Sequence, residues 1–345
     1  MTSVHPHTRW RLVAVLGLLA ACLSGLVVVA SIWPGATAVP HGLPVAISGP
    51  EHEVRTVERA LERRTADAVS WRRVRSRAAA VHAVKNRSVD GAVVLGDGVE
   101  IVRAGAAGPG ETVIDRIGAG LSASTGAVRS TDVAPGARAD PTGSVLSALA
   151  FPLAIGGLVG GVVVAMTVVH LTRRASALVL LAAGGAGIVI AVAHVAFGVL
   201  PGNAAILWAV VALSLLATSS LVVGLHAVMG PRGIVIAGAT TLLLANPLSA
   251  ASTPIEFIVG GLGTIGQFFV PGATLTLLRD TAYFPEAPRA AGWVTLAAWA
   301  GATFALAAVG HRRGTAAAAA AAVATPAPAP GRAVRPRHRA EIDPQ

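Results

Sequence analysis

The residues that could do chemistry in this 345-residue chain are few and scattered. His52-Glu53 begins like the helix motif of a zinc protease, but Arg55 and Thr56 follow and no second histidine arrives. No GxxxxGK[ST] run is present to cradle a phosphate. The single cysteine, Cys22, can form no internal disulfide, and no Cys/His cluster has metal-ligand spacing. No nucleophile, base and orienting group can be assembled, so an enzyme is disfavoured, and no catalytic, metal or cofactor-binding residue is expected. What remains is a set of polar and ionisable residues within apolar surroundings, where each is costly. Glu256, Gln267, Pro271, Arg279 and Asp280 fall in one Gly/Pro-rich stretch and are the candidate substrate-path or re-entrant residues. Glu256, which follows Pro254, is the better candidate for a lining position, while the adjacent Arg279 and Asp280 also suit the headgroup layer. His170, His194 and His226 sit at ends of apolar runs, where packing or snorkelling explains them more simply than a proton relay.

The elements that must hold these residues are mostly apolar. Hydrophobic residues make up 54% of the chain and charged ones only 13%, against about 25% charged in an ordinary soluble domain. That balance excludes a disordered chain, a disulfide scaffold and a typical soluble enzyme. Residues 12–33 are apolar for long enough to span a bilayer core of about 30 Å, with Trp10 and Trp33 suited to the two interfaces. Ala36-Thr37-Ala38 and Leu19-Ala20-Ala21-Cys22 also suit a cleaved or lipidated leader, but the length of the run favours an uncleaved anchor. Apolar density returns over 145–310, with further spans expected near 145–169, 175–199, 205–228, 233–249 and 291–310. Residues 250–290 read as a re-entrant or interfacial segment, because a seventh span would put the Arg-rich C-terminus on the wrong side.

Residues 34–144 differ in kind, holding 14 of the 27 basic and 12 of the 17 acidic residues. Period-2 and period-3.6 patterns there predict strands at 43–48, 68–74, 91–95, 99–103 and 127–133. Helices are expected from Pro50, around Val81 and Val84, and from about Glu111. This is a small α/β domain whose exposed helix faces mix both charge signs and read as solvated surface. Since that domain is nearly neutral, the net charge of +10 falls elsewhere. It lies at 1–11, in the linkers carrying Arg173, Arg174, Arg232, Arg312 and Arg313, and in an Ala/Pro/Arg-rich tail, 311–345, expected to be disordered. The positive-inside rule then places both termini in the cytoplasm and 34–144 outside. Nucleic acid is not expected as a partner. Lipid is, and the tail's Arg332, Arg335, Arg337 and Arg339 suit anionic headgroups.

Gly156, Gly157, Gly160 and Gly161 form two overlapping GxxxG pairs, the spacing that lets helices approach closely, within one subunit or in a dimer. The expected fold is therefore an α-helical polytopic membrane protein of about six transmembrane helices, with a small extracytoplasmic α/β domain inserted between helices 1 and 2.

Leu43-Pro44-Val45-Ala46-Ile47 follows the first span, and Asp140-Pro141-Thr142-Gly143 leads into Leu149-Ala150-Phe151-Pro152-Leu153 at the second. Pro271-Gly272, Leu278-Arg279 and Tyr283-Phe284 precede the last span. In these residues and in the order of its spans the chain resembles the permease subunit of type-2 ABC exporters, most closely the YhgE/Pip (phage infection protein) branch. The resemblance covers about residues 10–310. It implies export of a small hydrophobic or amphipathic compound across a bacterial plasma membrane by a homodimer or paired permease. ATP would act only through a separate ATPase subunit. The chain departs from the pattern where such a subunit docks: about nine residues precede the first span, and about six separate the second from the third. The alternative is a non-transporting membrane scaffold or sensor whose outer domain binds a ligand or envelope partner.

Overall fold

The computed structural model describes residues 10–324 and is mostly helical, with one small sheet. Helix α1 (Trp10–Ala36) is apolar on every face, and Pro34 is its one buried residue. Helices α5 (Ser144–Ala148) and α6 (Ala150–Thr167) together form one 24-residue apolar stretch. Then come α7 (Leu171–Ile190), α8 (Ala204–Met229), α9 (Pro231–Ala239), α10 (Leu262–Gly266), α11 (Val270–Tyr283) and α12 (Ala290–Ala324). Among the described residues, five helical stretches are long and apolar enough to cross a bilayer. The expected span at 233–249 is a shorter apolar helix, Pro231–Ala245, its second half wound as a π-helix over Thr240–Ala245. At about 1.5 Å per residue it falls short of a full hydrocarbon thickness. The structure corrects the expected tail at its start: α12 continues from Gly310 to Ala324 through an alanine run, the residue type with the highest helix propensity. Arg9, Arg332, Arg335, Arg337 and Arg339 lie outside the described residues.

Between α1 and α5 the chain forms a five-stranded sheet of order β2-β1-β3-β4-β5. The strands are β1 (Leu43–Ser48), β2 (Val69–Arg73), β3 (Gly91–Gly96), β4 (Gly98–Arg103) and β5 (Val128–Asp132). All neighbours are parallel except the β3–β4 hairpin. Helices α2 (Glu51–Thr65), α3 (Arg77–Lys85) and α4 (Glu111–Thr125) supply the crossovers. Alternation along β1 divides the core. Leu43, Val45 and Ile47 face Val54, Leu61, Ile114 and Ile117, while Ala46 packs with Ala80, Ala83 and Val84. Both layers are completed from outside the domain. Phe257 joins the first, and Phe284 and Ala287 join the second.

Contacts among the helices fix their directions. Ser220 bonds Thr303, and Ala227 lies against Gly310, so α8 and α12 advance the same way. Helix α9 turns back at Gly230 and lays Gly233 on the Leu225 carbonyl. Its far end, the start of α12 and the α/β domain therefore share one end of the bundle. Arg173, Arg232, Arg312 and Arg313 are exposed at the other end. There Arg174 donates from Nε to the Val168 carbonyl (2.5 Å) and from Nη2 to that of Ala165 (3.0 Å), closing the last turn of α6. Small residues set the spacing. A Cβ on Gly157 would lie 2.6 Å from Thr218 Cβ, and one on Gly161 would lie 2.7 Å from the Ser219 carbonyl oxygen. Gly160 faces Leu181, whereas Gly156 is exposed and meets nothing closer than 3.9 Å. Three of the four glycines thus face neighbouring helices of the same chain.

Candidate functional site

The segment from Pro247 to Ala287 leaves from the end of the bundle that carries the α/β domain and returns to it. At its start the Val39 N–H donates to the Phe257 carbonyl (3.3 Å). At its finish Phe284 and Ala287 enter the domain core. Between them, Val259–Gly266 and Val270–Tyr283 meet at a bend of 68°. The bend is anchored against α12, where Trp299 Nε1 donates to the Phe268 carbonyl (2.7 Å) and Phe269 packs on the Trp299 ring. Trp299 lies nine residues into α12, so the bend reaches about 14 Å below the start of that helix. Glycine is needed there: a Cβ on Gly266 would collide with the Leu248 carbonyl. The Gln267 side chain spans the bend, accepting from Thr276 Oγ1 (2.7 Å) and donating to the Gly263 carbonyl (3.4 Å). Pro271 is buried in the first turn of α11, where its missing N–H has no helical partner to lose. Deeper contacts are hydroxyl pairs. Thr274 donates to Ser214 (2.8 Å), and Ser220 bonds Thr303 (2.5 Å).

The ionisable residues of the segment meet those of the domain. Arg279 and Asp280 are each 5% exposed, so the headgroup-layer reading gives way to a buried joint. Being adjacent on α11, they point to different partners. Asp280 Oδ1 accepts from Arg87 Nη1 (2.5 Å), and Arg87 also lies 5.3 Å above the Phe284 ring. Arg87 takes the left-handed conformation (φ 56°) just past α3, a place that favours glycine. Arg279 Nη2 donates to Ser147 Oγ (3.1 Å), while its buried Nε finds no partner among the described residues. Its guanidinium lies against Gly108 (φ 89°), 2.8 Å from where a Cβ would stand, so only glycine serves there. A cavity of about 130 Å³ opens beside it, lined also by Asp90, Arg87, Glu256 and Thr253. Burial, and then the nearby Glu256, push the Asp90 carboxyl up to about 6. The segment thus brings Glu256, Arg279 and Asp280 to one joint, while Gln267 and Pro271 belong to the bend.

On the other side of the Gly108–Pro109 loop lies a wider cleft of about 600 Å³. One wall carries Arg103, Glu111 and Asp115, and the other carries Ser147, Ala148 and Phe151. Arg103 Nη2 pairs with Glu111 Oε1, and Arg103 Nη1 lies 3.3 Å from Asp115 Oδ1. Burial outweighs Arg103 and, with Asp115 and Asp132 adding to it, raises the Glu111 carboxyl to about 7. Asp140 holds the 141–144 turn that lines the cleft. It is 3% exposed and accepts from the N–H groups of Ser144 (3.0 Å) and Val145 (2.9 Å), capping the helix that leads into the bundle.

Sequence reasoning took the charged helix faces of the domain for solvated surface. That holds for Glu51 and Arg55, which pair in the open. It did not reach Arg87, Asp90 and Arg103, which lie off those faces, and it fails for Glu111. One signal for Arg103 and Glu111 was present: Glu111 and Asp115 are like charges at i, i+4, an arrangement that is unfavourable unless a cation joins them. His194 Nδ1 lies 2.6 Å from the Leu200 carbonyl, and His170 is exposed. Among the described residues no three His, Cys, Asp or Glu side chains gather as metal ligands.

The helices have the length and apolarity of a multi-pass helical membrane protein, and that is the class the fold defines. Beyond the class, no protein family model, no curated protein and no solved structure matches this chain.

Proposed function

We propose that this chain is a permease-like integral membrane protein. In this reading it exports a small hydrophobic or amphipathic compound across a bacterial plasma membrane, as a homodimer or paired permease of the type-2 ABC exporter kind it resembles. The observation that carries the reading is the folded-back segment. It puts a bend about halfway down the bundle and ties both of its ends, through Phe257, Phe284 and the Arg87–Asp280 pair, into the core of the α/β domain. A movement of the domain would therefore be passed to the bend. The basic residues at the opposite end support cytoplasmic termini and an outer domain.

Only three residues separate α6 from α7, which leaves little surface there for an ATPase subunit. ATP in this reading enters only through such a separate subunit. The test is a flux assay in proteoliposomes with fluorescent amphiphiles of differing charge, run with and without candidate ATPase partners. Protein-dependent movement of at least one dye supports a permease. No movement under any condition, with deletion leaving tolerance to amphiphiles unchanged, would overturn it. The second reading, a membrane sensor or scaffold, draws on the same coupling of domain to bend and predicts a bound ligand or partner without flux.

A further inference from the structure

We infer that the 600 Å³ cleft between the α/β domain and the start of α6 is a binding site for amphiphiles with a cationic head group. The inference deepens the permease reading by naming the ligand class, and it rests on that reading only for the use made of the bound molecule.

The size suits a drug-sized ligand. The two walls differ in character as an amphiphile requires. The bundle wall offers Ala148 and the Phe151 ring, which is 45% exposed. The domain wall offers charge, and its balance decides the sign of the head group. One guanidinium, Arg103, faces two carboxylates, Glu111 and Asp115, and Asp132 adds a third negative charge acting on Glu111. Thr112 donates to the Pro109 carbonyl and Ser144 to Asp140, while Ser147 accepts from Arg279 and keeps its own proton. Among the buried atoms without a hydrogen-bond partner, Asn246 Oδ1 on the opposite rim is an acceptor and Arg103 Nε is a donor. The preference therefore rests on charge: the carboxylates outnumber the guanidinium, which favours an ammonium or a positively charged N–H group over a sulfate or phosphate. An entering cation also offsets the repulsion between Glu111, Asp115 and Asp132 and favours the ionised form of Glu111. Binding then releases a proton, and affinity rises as pH increases through 7.

The experiment is equilibrium binding to the full-length protein in nanodiscs of zwitterionic lipid, read by fluorescence polarisation. The probes are rhodamine 6G, a cationic xanthene dye, and an anionic dye of the same ring system. Saturable binding of rhodamine 6G is expected, at least tenfold tighter than the anionic dye and tighter at pH 8 than at pH 6. Asp115→Asn, at a side chain more than half exposed, should weaken it at least fivefold without disturbing the fold. Glu111→Gln should weaken it and abolish the pH dependence. Equal affinity for the two dyes, or affinity unchanged in both variants, would overturn the site. Flux without this charge selectivity would sink the site and leave the permease. Selective binding without flux would do the reverse.

Discussion

Arg87 and Asp280, 193 positions apart in sequence, form an ion pair of 2.5 Å that fastens the α/β domain to the folded-back segment. Asp280 is buried and Arg87 partly so. Removing one partner strands the other charge in the joint, at a cost of about 3–5 kcal/mol. Arg87→Ala and Asp280→Ala should each lower the thermal midpoint, and the double variant should lower it by much less than the sum. A thermal-shift double-mutant cycle checks this, and strict additivity would show that the pair carries no coupling.

Phe284 is 1% exposed and packs in the domain core although it belongs to the segment that follows α11. Phe284→Ala should destabilise by about 3–5 kcal/mol. The loss should show as faster amide exchange in α3 and β3, the domain elements of that layer. Exchange that rises only within α11 would contradict the shared core.

Glu100 is 6% exposed and receives both Arg77 Nε and Nη2 at 2.7 Å and Thr131 Oγ1 at 2.6 Å. The hydrogen bond from Arg77 leads in holding its carboxyl down at about 2. A depressed folded-state value means that the stabilisation is complete above about 4.5 and is lost as pH falls through 2. Glu100→Gln should cost about 2 kcal/mol at pH 7. Thermal unfolding at pH 7 and pH 2 should show that penalty shrinking towards zero at the lower pH.

Gly161 and Gly156 occupy one helix but meet different surroundings. Gly161→Ala would press a methyl group into the Ser219 backbone and Val222, costing about 1–3 kcal/mol. Gly156→Ala has open space and should be tolerated. The midpoint of heat-induced loss of monodisperse protein would separate them, and equal effects would refute the packing described.

Much of the fold was legible because its signals are local. The alternation in 43–48 and 91–103 marks strands, and Val54, Val57 and Leu61 mark one helix face, within a residue or two of what is observed. Long apolar runs marked the five long helices. The length of α12 was misread because Ala316–Val323 is too short to span and was taken as part of a disordered tail, whereas alanine favours continuing the helix whatever surrounds it. The joint was illegible for another reason. Arg87, Asp90 and Phe284 find partners far along the chain, and periodicity carries no information on which distant charge a residue will meet. Glu256, Arg279 and Asp280 stood out only because charge is rare in apolar sequence.

The central claim is that the segment enters the bundle and returns on the side of the α/β domain. Single-cysteine labelling tests it most directly. In a Cys22→Ser background, Asp97→Cys marks the domain side and Arg313→Cys the opposite side, while Ile265→Cys, half-exposed just before the bend, reports on the segment. With a membrane-impermeant maleimide on oriented vesicles, Ile265→Cys should react from the same side as Asp97→Cys and never from the side of Arg313→Cys. Labelling from the side of Arg313→Cys would mean that the segment crosses the membrane, and the account would fail.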